Sequence, residues 1–218
     1  TSTEEYLTRR LGNEGYNFAT VTGITDINED DATVGIKFFI DPGKLTYVRR
    51  INFTGNLDTS DDVLRREMRQ MESAPASAAA IEQSRIRLQR LGFFKTAEVE
   101  TKEVPGHDDL IDVDFTVEEQ SFGSIGGSIG YAQDAGLILG LNLQQNNFFG
   151  TGRRVGINLN SSRYQDVASF NYTNPYFTED GVSRGFSIFY RKTDLSEINV
   201  ASYTTDTVGA TLNFGYPI

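Results

Sequence analysis

The sequence predicts an α+β region of strand-helix-helix-strand-strand modules up to about residue 120, followed by part of an antiparallel transmembrane β-barrel, six strands of a larger whole. Three observations carry this. Residues 1–120 hold 37 charged side chains, 23 of them acidic, whereas residues 121–218 hold 13. A hydrophobic pattern in the charged part is written twice, 77 positions apart. From Ser121 onward every apolar segment alternates with period two, the signature of strands with one apolar face.

Residues 1–12 suit a helix with Tyr6, Leu7 and Leu11 on one side, ended by Gly12 to Gly15. Strands follow over Phe18 to Ile27 and Thr33 to Asp41, joined by the turn Asn28-Glu29-Asp30-Asp31. In the second of them Val34, Ile36, Phe38 and Ile40 share a face, and Ile111, Val113, Phe115 and Val117 repeat it 77 residues later. Gly92-Phe93 likewise echoes Gly15-Tyr16.

The second copy adds what the first lacks: a strand over Tyr47 to Thr54, and a helix opened by Thr59 with Asp62 as a capping pair. Leu64, Met68 and Met71 form that helix's core stripe. Beyond the Ala/Pro-rich link Glu72 to Ala80, a second helix buries Ile81, Ser84, Leu88 and Leu91, and strands Lys95 to Glu103 and Leu110 to Gln120 complete the module. The boundaries are therefore residues 1–45 for half a module, 46–120 for a complete one and 121–218 for the strand region. With its apolar strand faces uncovered, the half module is expected to be less well ordered than the complete one.

In the strand region Leu137, Leu139, Leu141 and Leu143 alternate with Ile138, Gly140, Asn142 and Gln144, after a first strand with Ile125, Ile129 and Tyr131 on one face. The series continues with Val155, Ile157 and Leu159; Ala168, Phe170 and Tyr172; Phe186, Ile188 and Tyr190; and Val208, Ala210, Leu212, Phe214 and Tyr216. Phe189 breaks the polar face. Alternation alone fits a soluble sandwich as well as a barrel. Strand lengths near the roughly 9–11 residues needed to span lipid favour the barrel. So does a girdle of Phe148, Phe149, Tyr164, Tyr172, Tyr176, Phe177, Tyr203 and Tyr216 near strand ends. Six strands fall short of closure, which takes about eight, so further strands are expected, and the end at Pro217-Ile218 reads as a cut. Thr1 starts inside a helical pattern with no leader, as in a processed chain.

A net charge of -10 argues against nucleic-acid binding and is read as solubility. The absence of cysteine excludes disulfides, thiolate metal sites and cysteine nucleophiles, and suits an oxidising compartment. No apolar run reaches the roughly 20 residues of a membrane helix. No catalytic residues and no cofactor are indicated. The one histidine, His107, sits in the Pro105-Gly106 turn, away from any lumenal serine. Gly150-Thr151-Gly152-Arg153-Arg154 lacks the Lys-Ser/Thr end of a phosphate loop and precedes a strand, so it is read as a turn. Asp30-Asp31 and Asp108-Asp109 are turn residues rather than metal ligands.

Several stretches together resemble a known family: Val48-Arg49-Arg50-Ile51-Asn52-Phe53-Thr54-Gly55-Asn56, Val63 to Glu72, Arg90-Leu91-Gly92-Phe93-Phe94 and Asn174-Pro175-Tyr176-Phe177-Thr178-Glu179-Asp180-Gly181-Val182. The module looks like a POTRA (polypeptide-transport-associated) domain, and its place before a first barrel strand resembles the BamA family of outer-membrane assembly factors. Ala74 to Ala80 departs from the family's more hydrophobic helix start.

The resemblance implies a non-enzymatic function, insertion of β-barrel proteins into the bacterial outer membrane, with POTRA domains in the periplasm. It covers the back half of the penultimate POTRA domain, the last one, and the first six of sixteen strands. The alternative is a secretion pore of the POTRA-barrel type, as in two-partner secretion. Implied partners are the lipoprotein BamD and other accessory lipoproteins, unfolded outer-membrane proteins and outer-membrane lipid. Arg65, Arg66, Arg69 and Glu72, on a charged helix turn, are the implied lipoprotein contacts, with a solvated face as the plain reading. Gly123, Ser124, Ile125, Gly126, Gly127, Ser128, Ile129, Gly130 and Tyr131 are implied to pair with a client strand. Their glycines read either as close packing at a bent wall or as a weak edge.

Overall fold

In the computed structural model, which describes residues 2–28, 33–198 and 203–216, the chain divides into two compact units. One comprises residues up to Leu57 and Leu64–Gln120; the other comprises Asp58–Val63 and the residues from Ser121 onward. The turn residues Asp30 and Asp31 and the terminal Pro217 and Ile218 lie outside the described residues.

The first unit runs α1 (Ser2–Asn13), β1 (Thr20–Asn28), β2 (Thr33–Asp41), β3 (Tyr47–Thr54), α2 (Asp61–Arg65), α3 (Ala78–Arg90), β4 (Phe94–Val104) and β5 (His107–Glu119), α2 starting within the other unit's segment. The 77-residue repeat holds in the backbone: α1 and α3, β1 and β4, and β2 and β5 correspond. Gly15 and Gly92, which end the two helices, both take the left-handed conformation, with φ 101° and 71°.

In the complete copy β3 lies parallel to β5, and β4 antiparallel to it. Val48, Ile51, Leu64, Ile81, Leu88, Val113 and Phe115 form the core, with Phe115 stacked on Phe53 at 5.8 Å. The incomplete copy has the same face without a cover: Val34 and Ile36 are 62% and 58% exposed, against 1% and 0% for Ile111 and Val113.

The other face of the three-stranded sheet explains much of the acidity. Arg49 pairs with Asp112, and Asp114 accepts from Lys102 at 2.8 Å and from Asn52 at 2.8 Å. These hydrogen bonds hold the Asp112 and Asp114 carboxyls below the usual range, the contact from Arg49 being the first cause for Asp112 and that from Lys102 for Asp114.

The helix expected from Thr59 to Met71 is much shorter. Helical bonding gives way after Arg65 to tighter bonds, Glu67 N to Leu64 O and Met68 N to Arg65 O. The amide N–H groups of Arg69 and Gln70 then donate to the Ser84 hydroxyl on α3. Buried Gln70 fixes the following loop, donating to Met71 O and Pro75 O and accepting from Ser77 N. Met71 is consequently 67% exposed instead of lying in the core. Thr59, the expected cap, accepts from Asn147 Nδ2 at 2.8 Å.

The second unit contains β6 (Gly123–Ala132), β7 (Gly136–Phe148), β8 (Arg153–Ser161), β9 (Gln165–Asn174), β10 (Ser183–Asp194) and β11 (Thr204–Gly215). They form one antiparallel sheet in sequence order, with β6 and β11 as its outer strands and no closure among the described residues. Register aligns the apolar positions across all six strands. Ile125 faces Leu143, Leu143 faces Ile157, Ile157 faces Phe170, Phe170 faces Ile188, and Ile188 faces Ala210.

That face is uncovered: Leu139, Ile157 and Leu212 are 46%, 37% and 71% exposed. A sandwich core would bury them, so the pattern belongs to a sheet whose apolar face meets its surroundings. The strands, 9 to 13 residues long, have the length of tilted membrane strands. No described helix is long and apolar enough to cross a membrane. On the polar face Asn142 bonds Asn158, and the Phe189 ring fills the space over Gly209, where an added Cβ would lie 2.3 Å from it. Phe189 therefore supplies the side chain that Gly209 lacks.

Candidate client-pairing edge and module surface

The residues from Gly123 to Tyr131 form nearly all of β6, an outer strand bonded on one side to β7. All its residues are exposed. A Cβ added at Gly126 or Gly130 would meet nothing within 4 Å, and at Gly127 only Gly140 O at 4.0 Å. None of the three has a positive φ. Among the described residues nothing packs closely over these three glycines, and glycine lowers the stability of a strand. Gly123 differs, because an added Cβ would come within 2.5 Å of Gln145 Oε1, the mobile end of a side chain.

The four implied lipoprotein contacts do not form one helical face. Arg65 closes α2, Arg69 lies in the bend beyond it, and Glu72 lies in the next turn. Arg65 and Glu72 are used within the fold. Glu72 Oε1 accepts from Ile51 N at 2.9 Å and from Arg65 Nη1 at 3.3 Å, while Arg65 Nη2 donates to Ile51 O at 3.2 Å. Together they satisfy both backbone groups of one β3 residue, and the Arg65 guanidinium also lies 5.3 Å from the Phe53 ring centroid. The backbone donor from Ile51 is the first cause holding the Glu72 carboxyl below its usual range, with Arg65 reinforcing it. Arg69 is exposed and Arg66 half-buried.

Other important residues had little sequence signal. Asn13 Oδ1 accepts from Ala79 N at 2.9 Å and so helps cap α3 alongside Ser77. Asn147, buried and left-handed at φ 51°, bonds Thr59 through Nδ2 and accepts from Gly152 N through Oδ1 at 2.8 Å. The amides of Gly150 and Gly152 are thus spent within the turn, Gly150 N donating to Asn147 O at 2.9 Å, as a turn rather than a phosphate loop requires. A candidate for such a role is Asn in αL before a Gly-rich turn, but burial made it decisive.

Known proteins match in the same two regions. The profile of the Omp85 superfamily domain covers residues 147–218, and the POTRA profile, described as a surface antigen variable number repeat, covers residues 46–120. The outer-membrane protein assembly factor BamA of Neisseria meningitidis is 34% identical over 96% of the chain. The chain belongs to the BamA family of the Omp85 superfamily. BamA of Buchnera aphidicola is 30% identical over 97% of the chain. The chain spans 26% and 34% of the length of these two relatives. The crystal structure of BamA from Haemophilus ducreyi lacking POTRA domains 1-3 superposes with a TM-score of 0.87 at 40% identity, covering 99% of this chain and 41% of that one. This likeness shows the six-stranded sheet to be part of an outer-membrane barrel, and residues 46–120 are periplasmic POTRA structure.

Proposed function

We propose that this chain is part of a machine that folds β-barrel proteins and inserts them into the outer membrane, with β6 as the strand on which a client strand is templated. What supports this reading is the glycine content of β6, where nothing among the described residues packs over Gly126 or Gly130 and glycine weakens a strand. Such a strand offers backbone donors and acceptors to an incoming strand and gives up little side-chain packing when it exchanges partners. The chemistry is non-covalent and needs no catalytic group.

In this reading residues 1–45 are the back half of one POTRA domain, 46–120 a complete last one, and 121–218 the first barrel strands. Arg65, Arg66, Arg69 and Glu72 mark the side that receives an accessory lipoprotein, BamD. Arg69 is the free-standing probe of that surface, because Glu72 and Arg65 also hold β3. Arg69→Glu is expected to reduce co-purification of the lipoprotein while leaving thermal unfolding unchanged. Photocrosslinkers placed at Ser124, Gly126, Ser128 and Gly130 are expected to capture the terminal strand of a client during assembly. Capture at none of them would overturn client templating at β6.

A further inference from the structure

The apolar face carries two hollows of similar size among the described residues, one about 430 Å³ between Leu139, Leu159 and Tyr190, the other at the start of β6 and set apart by an amide at its edge. Ile125, Leu143, Phe148, Val155 and Ile157 wall a cavity of about 470 Å³ beside Gly123, a volume within the roughly 300–1,000 Å³ of small-ligand sites. It lies where Gly123 faces Gln145, and Ile125, Leu143 and Ile157 stand on the uncovered apolar face. Gly123 leaves room for the Gln145 side chain at the edge of the notch, the Gln145 Oε1 lying 2.5 Å from where a β-carbon of residue 123 would stand.

Gln145 is the anomaly. Its register partner Val155 places it on the apolar face, half-buried, and its side-chain amide makes no hydrogen bond to any described residue. An amide left unpaired against hydrocarbon costs several kcal/mol, so such a group calls for a polar partner. Phe148, Phe149, Tyr176, Phe177 and Tyr216 gather at the same end of the sheet, Phe148 as the last residue of β7 and the others just beyond the ends of β7, β9 and β11. Aromatic residues of that kind mark the level of lipid headgroups.

We propose that this notch binds one acyl chain of a membrane phospholipid, with the Gln145 Nε2–H donating to the ester carbonyl at the head of that chain. The occupant follows from continuity with the lipid-facing surface, from an apolar trough ending in a lone amide, and from the interfacial height of that amide. A client side chain would fill the apolar walls but would bring no ester carbonyl to that depth. The inference rests on the outward face meeting lipid and not on client pairing at β6.

The test uses the full protein in vesicles of phosphatidylethanolamine and phosphatidylglycerol doped with a phosphatidylethanolamine that carries a diazirine in one acyl chain. After irradiation, peptides containing Leu143 and Ile157 are expected to be labelled roughly five-fold more than those containing Val208 and Leu212 on the same face. Gly123→Leu and, from the opposite wall, Val155→Trp each fill the notch and are expected to abolish the excess, so failure of one variant to fold leaves the other. Gln145→Leu is expected to reduce it. Even labelling along the face, an excess unchanged in either folded variant, or no labelling at all would overturn the proposal. Failure of client crosslinking at β6 with the lipid excess intact would count against templating alone.

Discussion

At the scale of single residues, hydrogen-bond demand decides more than helix or strand preference. Ser84, read from the sequence as one member of an apolar helix face, is buried because it ends α2 by accepting from Arg69 N and Gln70 N. Glu72 is charged and exposed, yet it anchors β3 through Ile51 N. Its folded-state pKa is depressed, so the stability it adds is fully present above the ordinary carboxylate value of about 4.3 and is lost as pH falls through the depressed value. Glu72→Gln is therefore expected to lower the unfolding midpoint at neutral pH, with the difference from the parent shrinking in acid; a pH-independent difference in thermal melts would contradict this. Gly150 is a sharper case, because φ is 70° and a Cβ would lie 1.9 Å from Asp58 O. Gly150→Ala is expected to cost more than the about 1–2 kcal/mol of a left-handed residue, read by denaturant unfolding in detergent.

At the scale of elements, strands were legible and the first helix of the complete module was not. Alternation located all six strands from Gly123 onward, and the bounds of β2 and β3 match their predicted ranges, because a period of two states directly which face is apolar. The stripe Leu64, Met68, Met71 has helical spacing but extends past Arg65, where Ser84 and Gln70 make tertiary bonds no local pattern reveals. In β6 the glycines carry two meanings, close packing at a bent wall or a weak edge, and no described atom lies within 4 Å of a β-carbon added at Gly126 or Gly130. Gly126→Ala and Gly130→Ala are each expected to stabilise the strand by about 0.5–1 kcal/mol and to slow client assembly. Unchanged hydrogen exchange in β6 and β7 would contradict the weak-edge reading. Exchange is also expected to be faster in β1 and β2 than in β4 and β5, since the face that buries Ile111 and Val113 leaves Val34 and Ile36 open. Equal protection would show that the uncovered face costs the hairpin no order.

At the scale of the whole molecule, composition separated two solvents along one chain. The acidic modules bury a small core and pair their outer carboxylates, as Arg49 does for Asp112, while the later residues turn an aliphatic face outward. Alternation alone could not choose between sandwich and barrel, because both demand one apolar face, and strand length and the aromatic girdle favoured the barrel. The exposure of Leu139, Leu212 and their register partners, a property of the assembled sheet, agrees with that choice. From that face follow the membrane setting of β6 and the notch beside Gly123. Refolding of the chain with and without phospholipid vesicles, followed by far-UV circular dichroism and sedimentation, tests it most directly. Strand signal from the residues after Ser121 is expected only when vesicles are present, with the protein floating with lipid. A compact monomer with full strand signal in plain buffer would mean that the apolar face closes on itself, and the membrane account would fall with it.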